Sequence, residues 1–234
     1  MVFSEILLWG AGIGLLLVIL IRGWLAPMLR DYPVFYSYIL FVLGVEFLRA
    51  ILMSTFGRES SQYYYAYYWP TYMMSVFQFV VIWTVHSKVF GRSHAVKRLT
   101  QFLLIAGILL LPLLWKVTEL SGSHVFYRIQ IIALFVQMAS CVFVCRDLYT
   151  EREKIRIGQN LFGILTGTSL MVGSQTINFG AYLLLHTSGH AFWFLIPFMD
   201  FLALSVFAYC SWTYDPMRTR MEGSANTDMR PERK

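Results

Sequence analysis

Seven apolar stretches, each near the length that crosses a bilayer, constrain this chain more than any other feature. A hydrocarbon core about 30 Å thick needs roughly 20 residues at about 1.5 Å of helical rise each. Segments 3–23, 34–56, 69–90, 99–117, 125–147, 159–185 and 191–213 approach or meet that length. Inside lipid every backbone N–H and C=O must be bonded within its own segment, so such stretches fold as helices. Composition agrees: 57% of the 234 residues are hydrophobic and 14% charged, against about 25% charged in soluble domains. The fourth segment is the shortest, its charge-free core running from Phe102 to Trp115 with Pro112 near one end, where a kink is tolerated.

Charge placement tests the count independently and orients it. With the N-terminus outside, the inner loops and tail hold Arg22, Arg30, Lys88, Arg92, Lys97, Arg98, Arg146, Arg152, Lys154, Arg156, Arg218, Arg220, Arg230, Arg233 and Lys234. The outer side holds Arg58, Lys116 and Arg128, and Arg49 lies within a span. Basic residues favour cytoplasmic loops, and one helix more or fewer would scramble this division. The expected fold is all-α: a seven-transmembrane-helix bundle over residues 1–213, N-terminus outside and C-terminus cytoplasmic, in a cell membrane. Residues 214–234 are polar, contain Pro216, Gly223 and Pro231, and read as a disordered cytoplasmic tail.

The same placement accounts for the net charge of +6 without a nucleic-acid partner. Cys141, Cys145 and Cys210 fall toward the inner ends of spans and form no disulfide framework. Glu5, with no Lys or Arg, precedes the first apolar run, the reverse of a signal peptide's charge order.

Ionisable groups within a span each cost about 2.5–3.5 kcal/mol at a helix centre, so they point to function. The second span carries Glu46 and Arg49, three residues apart and therefore on one face. The seventh carries Asp200, three residues after Pro197, whose ring frees the carbonyl of Trp193. The sixth is polar for a membrane helix, with Thr166, Thr168, Ser169, Ser174, Gln175, Thr176 and Asn178; the fifth adds Arg128, Gln130 and Gln137, the third Gln78. Counted at about 1.5 Å per residue from the outer ends, these groups reach similar depths. Glu46, Arg49, Gln78, Arg128, Gln137, Gln175, Asn178 and Asp200 are thus expected to meet in the outer half of the bundle. They would either line a small-ligand cavity open to the outside or form a salt-bridge network that orders the helices.

Other features have plainer readings. Tyr63, Tyr64, Tyr65, Tyr67, Tyr68, Trp69 and Tyr72 precede and enter the third span, with Pro70 in its first turn, as an interfacial aromatic belt would; a stacking lip over the cavity is the sharper alternative. His186 and His190 have metal-ligand spacing, but Thr187, Ser188 and Gly189 between them read as a turn. No metal or other cofactor is expected. Gly163 and Gly167 make a small-xxx-small face for packing within the bundle or against a second copy.

The topology resembles that of the rhodopsins, yet no lysine lies within the seventh span, which excludes a retinal Schiff base. A sensory or small-ligand-binding protein leads the functional readings. A small transporter follows, although the halves show no internal similarity; a structural or accessory membrane protein is next, and a zinc-dependent membrane hydrolase after it. Neither a nucleophile–base pair nor a full metal set is visible, so an enzyme is not the expected class.

Overall fold

The computed structural model describes residues 3–57, 60–91, 94–103, 105–106, 125–150, 159–185 and 190–214. They are helical almost throughout: α1 (Phe3–Leu25), the single turn α2 (Met28–Asp31), α3 (Pro33–Phe56), α4 (Ser61–Phe90), α5 (residues 94–103), α6 (Val125–Thr150), α7 (Gln159–Leu185) and α8 (His190–Trp212). The ends are chemically marked. Pro33 opens α3, where its missing N–H costs nothing. Gly57 and Gly91 close α3 and α4 at φ of 78° and 82°, a region that a Cβ disfavours.

The structure moves one expected boundary. α4 begins at Ser61, two turns before residue 69, because the Ser60 hydroxyl accepts the backbone N–H of Tyr63 at 3.1 Å and caps the helix. Pro70 therefore lies inside α4 rather than in its first turn, and the tyrosine run is helical from its first member.

Contacts along the helices fix their directions. Trp9 meets Glu46 and Gly23 faces Tyr36, so α1 and α3 run antiparallel. Tyr38 meets Gln78 and Phe41 meets Phe77, setting α4 against α3. Ser75 meets Gln137 and His86 meets Asp147, so α4 and α6 are parallel, with α5 antiparallel to both through Trp83–Phe102 and His86–His94. Gly163 faces Cys210 and Gly167 faces Phe207, making α7 and α8 antiparallel, while Gly12–Leu204 and Arg22–Trp212 make α8 parallel to α1. The helices close a ring in the order α1, α3, α4, α6, α7, α8, with α4 also touching α7. Arg22, Arg30, Lys88, Lys97, Arg98 and Arg146 consequently gather at one end, here the basic end; α1 starts at the other, the leading end.

The apolar surface is turned outward as much as inward. Leu17, Ile21, Leu40, Phe47, Ile51, Val76, Val80, Val142 and Phe162 are exposed, far more than water tolerates in continuous patches. Among the described residues, four helical stretches are long and apolar enough to cross a membrane: Leu7–Leu25, Pro33–Phe56, Met73–Phe90 and Ile132–Thr150; Pro197–Trp212 is a shorter apolar one. Exposed Trp24, Tyr149, Tyr209 and Trp212 surround the basic end, while exposed Tyr65 and Trp69 mark the leading end. Along α4 the separation of these two aromatic levels is about 30 Å, the thickness of a hydrocarbon core whose two interfaces attract such residues.

The interior is packed mainly between mid-depth and the basic end, around Leu16, Ile19, Tyr38, Ile39, Ile82, Val144, Val172 and Phe207. A second cluster of Trp83, Phe102 and Ala106 joins α4, α5 and α6. The two glycines of α7 let α8 approach closely. A Cβ on Gly163 would overlap the Cys210 Sγ, and one on Gly167 the Phe207 ring. The distal part of the fourth expected span (107–117), the loop at His186 and the tail 215–234 lie outside the described residues. Tyr214 itself is buried, and its hydroxyl donates to the Asp31 carboxylate.

Candidate functional site

Toward the leading end, Glu46 and Arg49 lie on one face of α3 and pair directly, Arg49 Nη1 donating to Glu46 Oε1 at 2.7 Å. The other carboxylate oxygen accepts the indole N–H of Trp9 from α1, also at 2.7 Å. Both oxygens of Glu46 thus carry short charge-assisted bonds, and the side chains are only 18% and 15% exposed. Trp9 was not legible as a partner from sequence, where a tryptophan near a span end reads as an interfacial anchor. Counted at about 1.5 Å per residue, its depth in the first span is about 9 Å, nearer that of Arg49 than of Glu46, so nothing in the sequence singled out this contact.

Asp200 on α8 is half-buried. One of its carboxylate oxygens is buried, so it faces the interior. Register places it accurately: α8 runs parallel to α1 with Leu204 beside Gly12, so Asp200, one turn earlier, stands at the level of Trp9 and Glu46. Its Oδ1 is buried with no hydrogen-bond donor among the described residues.

Gln78 and Gln137 form the next layer. Gln78 donates its amide to the Tyr38 hydroxyl at 2.9 Å, and Tyr38 passes its hydrogen to the Met171 sulfur at 3.7 Å, a weak acceptor. Gln137 donates to the carbonyl of Ser75, one turn from Gln78 on α4. Both side chains are 3% exposed or less, and in both the amide oxygen has no donor among the described residues. Gln175 is half-buried on α7. The side chains of Arg128 and Asn178 lie outside the described residues, as do His186 and His124; among the described residues no three metal-ligating side chains converge.

The basic half carries buried polar structure as well. His86, fully buried, shares a 3.0 Å hydrogen bond through Nε2 with Asp147 Oδ2, itself 7% exposed. Arg98 from α5 approaches the same carboxylate at 3.8 Å and donates to His94, whose ring stacks on that of His86. Three helices are therefore tied at one point. His86 and Asp147 sit near the ends of two parallel helices, and that equal depth was the signal available in the sequence. Lys88 lies over the Tyr32 ring at 4.2 Å and donates to the Asp31 carbonyl. Beside it a cleft among Tyr32, Phe35, Val81, Val85 and Ile164 offers about 10 Å³ of free space, enough for about one water.

Helices that expose apolar faces between two aromatic levels define a multi-pass integral membrane protein of a cell membrane. Comparison with protein-family models, curated proteins and solved structures yields no match for this chain.

Proposed function

We propose that the chain is a seven-span membrane protein, N-terminus outside and C-terminus cytoplasmic, that holds a small ligand in the outer half of its bundle as a sensory or ligand-binding protein. The alternating helix directions and the gathering of basic residues at one end support the sidedness. The ligand reading rests on one observation: Asp200 has a buried carboxylate oxygen with no donor to meet it among the described residues. A buried acceptor left without a partner costs about 1–3 kcal/mol, more for a charged group, and a bound ligand would offset that cost.

Glu46 favours the second reading, a structural network, because Trp9 and Arg49 occupy both its oxygens. The proposal therefore divides the cluster: Glu46 and Arg49 order the helices, and Asp200 meets the ligand. Gly163 and Gly167 face Cys210 and Phe207 of α8, which supports their use as a packing surface within the bundle.

Accessibility from outside decides between the two readings. In a chain whose Cys141, Cys145 and Cys210 are replaced by alanine, Asp200→Cys is exposed in intact cells to a membrane-impermeant thiol reagent. Modification from outside within minutes is the expected result. A thiol that reacts only after the membrane is dissolved would remove the cavity and leave the structural network.

A further inference from the structure

Apart from the outer site, we infer that the cleft beside Lys88 seats one phospholipid with an anionic headgroup, drawn from the leaflet at the basic end. The cleft lies where three helices come together: Val34 and Phe35 line it from α3, Val81 and Val85 from α4, and Ile164 from α7. Phe35, Val81, Val85 and Ile164 are buried, whereas Val34 and Thr84 are half-buried and Lys88 is exposed. The mouth therefore opens between α3 and α4. Thr84 and Lys88 continue, in steps of four residues, the face of α4 on which Val76 and Val80 are exposed. That face is turned to lipid, so the cleft joins the bilayer. Lys88, in the last turn of α4, puts a cation at its end, where exposed Trp24 and Trp212 mark the headgroup level.

Two properties select the occupant. The first is the apolar wall. A buried water needs about two to four polar partners, yet Val, Phe and Ile side chains offer none, and the Thr84 hydroxyl has given its hydrogen to the Val80 carbonyl at 2.7 Å. Free space of about 10 Å³ admits part of a chain that runs on along Val80 and Val76, not a separate solute. The second property is charge. Lys88 donates to the Asp31 carbonyl and lies 4.2 Å over the Tyr32 ring, which leaves its charge without an acid. Among the described residues the ion pairs are Glu46–Arg49, His86–Asp147 and Arg98–Asp147, and the Asp31 carboxylate accepts from Tyr214 instead. Arg30, exposed beside Asp31, also stands outside these pairs. A phosphodiester supplies the missing negative charge and acceptors for the remaining ammonium donors, while its acyl chain covers the cleft. A zwitterionic headgroup would bring a further cation to this corner, and a free phosphate would leave the cleft bare.

The test titrates the full chain, in a neutral detergent, with dioleoylphosphatidylglycerol, dioleoylphosphatidylcholine or glycerol 3-phosphate, and counts bound molecules by native mass spectrometry. One phosphatidylglycerol is expected to bind about fivefold more tightly than phosphatidylcholine, the effect of about one basic residue near an anionic lipid. That preference should vanish in Lys88→Gln, return in Lys88→Arg and persist in Lys97→Gln, which removes an exposed charge of the same end on α5. Val34→Phe, which fills the mouth from a half-buried position, should weaken both lipids severalfold, and it carries the test should Lys88→Gln fail to fold. A preference that survives Lys88→Gln, or that Lys97→Gln lowers equally, overturns the inference in favour of a diffuse basic surface. Lipid binding unchanged in Val34→Phe overturns the cleft as the seat. Glycerol 3-phosphate bound as tightly as phosphatidylglycerol overturns the lipid and leaves a phosphate site.

Discussion

Replacing Arg49 with leucine strands the Glu46 carboxylate inside the bundle, and the cost can be worked from the contacts. In the native chain Glu46 accepts two 2.7 Å bonds, from Arg49 and Trp9, with less than a fifth of either charged side chain exposed. Removing one partner of a buried ion pair costs about 3–5 kcal/mol, because the surviving charge keeps its desolvation penalty without its Coulombic return. Trp9 remains as a donor in Arg49→Leu, which places the expected loss toward about 3 kcal/mol. The double variant Glu46→Leu/Arg49→Leu behaves differently. It removes both charges, each of which opposes insertion by about 2.5–3.5 kcal/mol at a helix centre, and leaves only the Trp9 N–H unpaired, at about 1–3 kcal/mol. The double variant should therefore be more stable than the single one by at least about 1 kcal/mol. Reversible unfolding in mixed SDS–lipid bicelles, followed by tryptophan fluorescence, measures both. A double variant as unstable as Arg49→Leu, or an Arg49→Leu chain within about 0.5 kcal/mol of native, would refute the reasoning.

Two further substitutions test the packing at the basic half. Gly167→Ala places a Cβ against the Phe207 ring at a separation no side chain tolerates, so α7 and α8 must part, at about 1–3 kcal/mol; the same assay checks this, and Gly173→Ala, which meets nothing within 4 Å, should be silent. Asp147→Asn weakens the shared bond to His86 and the approach of Arg98; a loss of about 1.5–3 kcal/mol is expected from hydrogen bonds to a charged group, together with faster amide hydrogen exchange in α5, whose polar tie to the bundle runs through that carboxylate.

The apolar segments and the sign of the loops were legible because both are one-dimensional: a bilayer sets the length of a helix, and charge sets which end stays in water. Glu46 and Arg49 were legible as a pair for the same reason, since three residues on one helix share a face whatever the fold. The start of α4 was not, because the tyrosines following Ser60 suit a helix or an interfacial loop equally, and only the cap distinguishes them. Trp9 beside Glu46, the free oxygen of Asp200, and the meeting of His86, Asp147 and Arg98 depend on how helices are rotated and which become neighbours. Gly163 and Gly167 carried part of that information, as a face allowing close approach, without naming α8 as the element that fills it. Sequence alone therefore determined that this protein lives in a membrane and where its costly charges sit along each helix. Only the tertiary structure decided which charges are partnered, because partnership depends on rotation about the helix axis and the order of helices in the ring.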